Sequence, residues 1–408
     1  MRILLLSDRI PPENRGGAGE VTWRLAQGLR DASYEVFVAC ATKGTPFEEV
    51  RDGIQTFHLH SDYPERWRAW LSLYNPQTAQ ALKHVMLRVR PDVVNAHNIH
   101  LDLSYYSLTI ARKLGIRTVF SSHDVMPFAY TKLSTIALPN QDSVLNGGYR
   151  LPTFYNLQQN RLRYNPFRNR VIRRILERTD ARTAVSHELA RAHHDNGLPS
   201  FTVVHNGIDA EKWEVNPAEI KALATRLNLE GRRVVFFGGR LTDAKGTQQL
   251  LAALTQIIPH VSDVVLLVAS NVPIDQQLSP QQVTLLGDHI RSAGWLSGEQ
   301  LAAAYHLSQV VVTPSIIFDS FPTMNLEAMA CRKPVITTCF SGAKEAVTDG
   351  ETGYVVNPFR VDEFADTLRH LLTDDDLASR MGQAGYERVT SEFTMGGMVE
   401  EMVRVYRR

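Results

Sequence analysis

Short apolar runs alternate with longer stretches of helical periodicity along this chain, and the alternation starts afresh in the second half. In the first half the runs are RILLL from residue 2, YEVFVAC from 34, PDVVNAH from 91, RTVFSS from 117, ARTAVS from 181 and FTVVH from 201. Helical stretches lie between them, at 20–30, 78–90, 104–114 and 169–178. Strands that are apolar throughout are buried on both faces, and helices between them supply the cover, so the pattern predicts parallel sheets in an α/β fold. The segment HNGIDAEKWEVNP breaks the pattern with turn residues, after which RRVVFFGGR opens it again and DVVLLVAS, QVTLLG, QVVVTPS and KPVITT supply further strands. A chain of 408 residues exceeds one ordinary core. Two doubly wound, Rossmann-like domains are therefore expected, at 1–205 and 206–390, with a final helical segment at 391–408.

Composition removes several classes. A formal net charge of +1 does not suit a dedicated nucleic-acid binder. No apolar run is long enough to cross a bilayer, and Asp8 interrupts the first one too early for a secretory leader. Cys40, Cys331 and Cys339 lack metal-site spacing and point to a reducing compartment. The expected location is the cytoplasm.

Chemistry concentrates in four places. The first is TPSIIFDSFPTMNLEAMACRKPVITTCFSGAKE, from Thr313 to Glu345. Here the apolar VVVT leads into an acidic loop, then, past Phe321, into a helix with Pro322 at its first position and Thr323 next. Loops that leave a strand and open a helix hold ligands in doubly wound folds, and the free N–H groups of the helix start favour an anion. Asp319 and Glu327, with seven residues between them, are placed to hydrogen-bond the hydroxyls of one polyol from two directions. The second place is GGRLTDAKG, where Arg240 and Lys245 flank a glycine turn ahead of a helix at 247–258. A rigid guanidinium fork and a point charge over a helix start suit a diphosphate. It is not a Walker loop, because the glycine spacing and the Lys-[Ser/Thr] ending are missing.

The third place is the loop after the first strand, where Gly16, Gly17 and Gly19 permit close approach to a ligand. A dinucleotide fingerprint fails there, since Thr22 stands where a third glycine belongs and no acid closes the second strand. The fourth is a set of strand-end histidines: His97 and His100 after one strand, His123 with Asp124 after another. No carboxylate or cysteine stands at ligand spacing beside them, so no metal is expected. Aromatics between 126 and 165, Tyr130, Tyr149, Phe154 and Tyr155 among them, suit either stacking on sugar rings or sealing a loop. The arginines of Arg161–Arg178 suit an anionic lipid surface, a phosphorylated acceptor, or simply a solvated helix face. Asp374-Asp375-Asp376 fits an acidic helix start rather than a metal site.

The Asp319–Glu345 segment resembles the signature of the retaining glycosyltransferases of family 4, in which two acids with seven residues between them lie in a segment ending Gly-x-x-Glu. It departs at the first acid, where Asp319 replaces the usual Glu. The resemblance extends over nearly the whole chain and implies the GT-B fold: two Rossmann-like domains facing a cleft, with the last helix crossing back to the first domain. It also implies a nucleoside-diphosphate sugar as donor, bound mainly by the second domain, and a saccharide or lipid-linked acceptor on the first. By position, Asp319 and His123 would contact the transferred sugar and Glu327 the nucleotide ribose. Arg240 and Lys245 would meet the diphosphate and Trp295 the base. Gly16 and Gly17 would lie near donor phosphates and acceptor, and Asp124 would either orient His123 or cap its loop. The implied reaction is metal-independent glycosyl transfer with no cofactor beyond the donor, in cell-surface polysaccharide or glycoconjugate synthesis. A GT-B epimerase, hydrolase or phosphorylase and a non-catalytic sugar-nucleotide binder are the competing readings. A phosphorylase would need a lysine for pyridoxal phosphate, which no matching segment supplies. An epimerase would turn over donor alone.

Overall fold

A computed structural model describes residues 1–13, 17–131, 133 and 148–408, the side chains at 162 and 275 excepted. Two compact units are present. One combines Met1–Leu133, Gly147–Asn206 and Met395–Arg408, and the other is built on Gly207–Thr394.

The first unit carries eight strands: β1 (Arg2–Leu6), β2 (Glu35–Thr42), β3 (Phe47–Arg51), β4 (Ile54–His60), β5 (Val93–Ala96), β6 (Arg117–Ser122), β7 (Ala181–Ala184) and β8 (Thr202–Val203). Their order is β3-β4-β2-β1-β5-β6-β7-β8. All neighbours pair in parallel except the β3–β4 hairpin. β1 is central, with Leu4 opposite Phe37 on one side and Val94 on the other, and Ile3 to Leu6 are wholly buried. The hairpin has no counterpart among the apolar runs. Phe47, Glu48 and Val50 of β3 are exposed, as suits an edge strand. Asp52-Gly53, both at positive φ, form the two-residue turn.

The last helix, Met395–Arg407, belongs to this unit, and its Met398, Met402 and Tyr406 share a core with Leu25 and Leu29 of the helix Gly17–Asp31. A methyl group on Gly28 would come within 2.9 Å of Val399, so the two helices approach closely there. Tyr406 is buried, and its hydroxyl accepts from Asn95 Nδ2 at 2.7 Å.

The second unit holds six parallel strands: β9 (Arg233–Gly238), β10 (Val264–Ala269), β11 (Ile290–Ser292), β12 (Val310–Thr313), β13 (Val335–Thr338) and β14 (Gly353–Val356). Their order is β11-β10-β9-β12-β13-β14. One expected strand is a helix instead. QVTLLG lies within the helix Pro280–Leu286, which Pro280 and a Ser279–Gln282 capping box start, while the strand follows at Ile290. A short apolar run does not separate the two by periodicity, and the cap decides it. Asp374 heads the helix Asp375–Glu392 by accepting from the Leu377 N–H, an ordinary cap.

In both sheets the strand order reverses beside a central strand, between β1 and β5 and between β9 and β12. Ligands of doubly wound folds bind beyond the carboxyl ends of strands at such a reversal.

Candidate active site

In the second unit the loops leaving β9 and β12 therefore flank the reversal. Gly246, at φ 74°, lets the first come against the second, since a Cβ there would fall 1.9 Å from the Pro314 carbonyl oxygen. The Ile316 N–H donates to the Ala244 carbonyl at 3.1 Å, tying the loops together. The outcome is a contact between residues seventy-four apart: Lys245 Nζ lies 2.7 Å from Asp319 Oδ2. Ser315 Oγ donates to the same oxygen at 3.1 Å. The Asp319 N–H donates to Ser341 Oγ at 2.9 Å, so the turn after β13 fixes the acid's backbone.

Two helices start here, at Thr247 and Thr323, and neither start has a capping side chain. The Thr247 N–H reaches the Thr242 carbonyl at 3.4 Å and the Asn325 N–H the Pro322 carbonyl at 3.2 Å, and helix starts without side-chain caps favour an anion at their remaining N–H groups. Pro322 takes the position before the helix rather than the first one within it, a shift of one residue. Gly238, ending β9, sits against the Met324 side chain at this helix start. Asn325 pins the helix from below: Oδ1 accepts from Thr313 Oγ1 at 2.8 Å, and Nδ2 donates to Thr337 Oγ1 at 3.2 Å and the Ala343 carbonyl at 2.9 Å.

Glu327 is buried, and its Oε2 accepts from the Tyr305 hydroxyl at 2.8 Å. Tyr305 is held edge-on by Phe236 and Trp213, with centroids 4.8 and 5.5 Å away. Sequence reasoning missed this tyrosine. It sits in the alanine-rich helix Gly298–Leu307, where a lone aromatic has the pattern of core. Phe321 is buried and tilts against Phe393 at 5.7 Å, so it supports the loop. Arg240 is exposed and, among the described residues, has no ion-pair or hydrogen-bond partner. Trp295 is 45% exposed. The structure thus brings Lys245 and Asp319 into contact.

In the first unit the loops after β1, β5 and β6 surround the other reversal. Asp8, at the end of β1, accepts from the N–H groups of Leu101, Asp102 and Leu103 at 2.8, 3.0 and 2.7 Å and so stitches the loop after β5 in place. His123 is half-buried, and its Nε2 lies 2.8 Å from Nδ1 of the buried His97. Asp124 caps its loop and meets His100. Its Oδ1 accepts from the Met126 N–H at 2.8 Å and pairs with His100 Nε2 at 3.2 Å. Burial works to raise the Asp124 pKa, but His100 and the loop N–H outweigh it and hold the carboxyl below its usual range. His100 is thus a polar link, its Nδ1 meeting the Tyr105 hydroxyl at 3.0 Å. Gly17 opens the helix Gly17–Asp31 and is exposed, with space where a side chain would go. Gly16 lies outside the described residues.

The basic stretch needs a correction. Arg168 is no surface cation: it is fully buried, donating to Ser72 Oγ at 3.1 Å and to the Met126 carbonyl at 2.9 Å. Tyr130 and Tyr149, suited to sugar stacking by type, are also buried. Tyr130 packs edge-on against Tyr164, and the Tyr149 hydroxyl donates to Glu188 at 2.7 Å.

Comparison with known proteins agrees with this architecture. The family model described as Glycosyltransferase Family 4 matches residues 15–212, and that described as Glycosyl transferases group 1 matches 220–388. The alpha-maltose-1-phosphate synthase of Mycolicibacterium smegmatis is 26% identical over 424 aligned residues, covering 100% of this chain and 99% of its own. Among solved structures, the sucrose-phosphate synthase of Thermosynechococcus elongatus superposes with a TM-score of 0.75 at 21% identity, covering 100% of this chain and 98% of its own. HepE of Anabaena, in complex with UDP and glucose, gives 0.70 at 19%, covering 99% and 98%. Both share the doubly wound plan of the two sheets, the GT-B fold. With one family model on each half and relatives matched from end to end, the chain belongs to the glycosyltransferases of family 4 and is a glycosyltransferase.

Proposed function

We propose that this glycosyltransferase takes its sugar from a nucleoside-diphosphate donor held by the second unit and passes it to an acceptor hydroxyl with retention at the anomeric carbon. The observation that carries this is the Lys245–Asp319 contact of 2.7 Å at the strand-order reversal. It puts a cation for the diphosphate and an acid for the sugar hydroxyls at one point, beside helix starts without capping side chains. In this reading Lys245 and Arg240 neutralise the departing diphosphate, with no metal required, and the helix start at Thr323 adds partial positive charge. Glu327, oriented by Tyr305, takes the ribose hydroxyls. Trp295 offers a face to the base, and His123 is assigned a sugar hydroxyl.

The bond from the anomeric carbon to the diphosphate oxygen breaks, and a bond to the acceptor oxygen forms on the same face. The acceptor's proton passes to the leaving phosphate oxygen. The acceptor is a saccharide or lipid-linked saccharide, in the synthesis of cell-surface polysaccharide or glycoconjugate. HepE, solved with UDP, supports a uridine nucleotide as the first donor to test.

The bilayer side of this reading rests on Arg161, Arg163, Arg170, Arg173, Arg174 and Arg178, which are exposed, with Phe167 66% exposed among them. Cations around a free aromatic ring suit peripheral contact with anionic lipid at the cytoplasmic face. No described helix is long and apolar enough to cross a membrane.

The test is a thermal-shift screen across UDP-, GDP-, ADP- and TDP-sugars, followed by transfer assays with the stabilising donor. One base series should raise the melting temperature, and Lys245→Ala should abolish the shift. If no nucleotide sugar stabilises the protein, the donor assignment is wrong. Turnover of donor alone to an epimer would move the reaction to the epimerase class.

A further inference from the structure

His97 and His123 face each other across the ends of β5 and β6, with His97 Nδ1 and His123 Nε2 2.8 Å apart and the ring planes 24° from parallel. One proton lies between these nitrogens, and its owner decides what His123 offers a ligand. The remaining nitrogens settle the choice. His97 Nε2 is buried and has no hydrogen-bond partner, whereas His123 Nδ1 is not among the buried unpartnered atoms and, among the described residues, has no partner. Were the shared proton on His123, neutral His97 would carry its own on Nε2, a buried N–H without an acceptor. With the shared proton on His97 Nδ1, only a lone pair is left bare there. Orphaned buried N–H groups are the rarer and costlier of the two.

We propose that His97 is a positioning residue: its Nδ1–H donates to His123 Nε2, fixing the proton of His123 on Nδ1, so that the open nitrogen is a donor and the ligand atom it meets is a hydrogen-bond-accepting oxygen. The specific consequence is polarity, because His123 reads a lone pair rather than offering one. Burial supports a neutral pair, holding His97 well below its ordinary value and His123 down at about 4. The fixed tautomer is a property of the pair alone, while its use in transfer rests on the sugar contact proposed for His123.

The experiment separates the two. Long-range ¹H–¹⁵N correlation on histidine-labelled protein without ligand reads the tautomer of His123, assigned by comparison with His123→Gln. The expected result is a protonated Nδ1 and a bare Nε2. A proton on Nε2 overturns the proposal. Then His97→Asn, whose amide N–H takes the place of Nδ1–H, should keep the tautomer and transfer within about threefold. His97→Leu should release the tautomer and lower kcat/KM on the order of tenfold with little change in melting temperature. Equal losses in the two variants would make His97 a space-filler and overturn the positioning role. An Nδ1–H tautomer with full transfer by His123→Ala would keep the pair but overturn its use in transfer.

Discussion

Lys245→Ala tests the donor site most directly, because two energies of very different size meet at one nitrogen. Toward folding, Lys245 pairs with Asp319 at 2.7 Å, with side chains 37% and 17% exposed. A pair this open to solvent contributes about 1 kcal/mol at most after screening. Asp319 also keeps the Ser315 hydroxyl and its backbone bond to Ser341. The melting temperature should therefore fall by only ~2–4 °C. Toward catalysis, the ammonium acts where charge develops on the leaving diphosphate, and removing one such group costs about 10²–10³ in kcat, or ~3–4 kcal/mol. The assay is initial-rate transfer at saturating donor beside a thermal melt of the same preparation. Asp319→Asn in the Lys245→Ala background separates direct contact from mere charge balance. If the lysine only neutralised Asp319, the second change would restore the rate. If it touches the diphosphate, the double variant stays as slow as the single one. Retention of more than a tenth of wild-type turnover, or rescue by Asp319→Asn, would refute the reasoning.

Tyr305→Phe removes the hydroxyl that meets buried Glu327 at 2.8 Å and should cost about 1–3 kcal/mol of stability. It should also weaken nucleoside-diphosphate binding on the order of tenfold, read by calorimetry. Gly246→Ala would drive a Cβ to within 1.9 Å of the Pro314 oxygen at φ 74°, so the two site loops must separate. Transfer should be lost along with several degrees of melting temperature. His193 is fully buried beside Ser122, at 2.7 Å, and burial pushes it down to about 3. Between an unfolded value near ~6.5 and that level the unfolded chain binds a proton the folded one refuses, so stability falls as pH drops through the window. His193→Gln should flatten that acid limb in urea midpoints taken at several pH values.

The local chemistry was legible in the sequence, but its assembly was not. GGRLTDAKG announced a glycine turn with cations before a helix, and the loop after VVVT announced an acid before another. Neither announced that these loops adjoin, because strand order decides this and β9 pairs with β12 although residues 239–309 lie between them. The same limit explains Tyr305, whose partner lies on another helix, and His97, whose partner follows another strand. Arg168 failed for a different reason. Burying a guanidinium requires acceptors, and the Ser72 hydroxyl and Met126 carbonyl come from distant segments. The β3–β4 hairpin escaped because an exposed edge strand has no apolar run to betray it.

Membership of the final helix in the first unit bears on how the polypeptide is made. Met398, Met402 and Tyr406 complete a core whose other members, such as Leu5 and Leu25, are translated at the very beginning. A ribosome must deliver all of Gly207–Thr394 before that core can close. The second unit, continuous over that stretch, has its strands in hand earlier. Nascent protein should therefore gain protease resistance there first, and early release of the chain should leave the opening strands without their last cover.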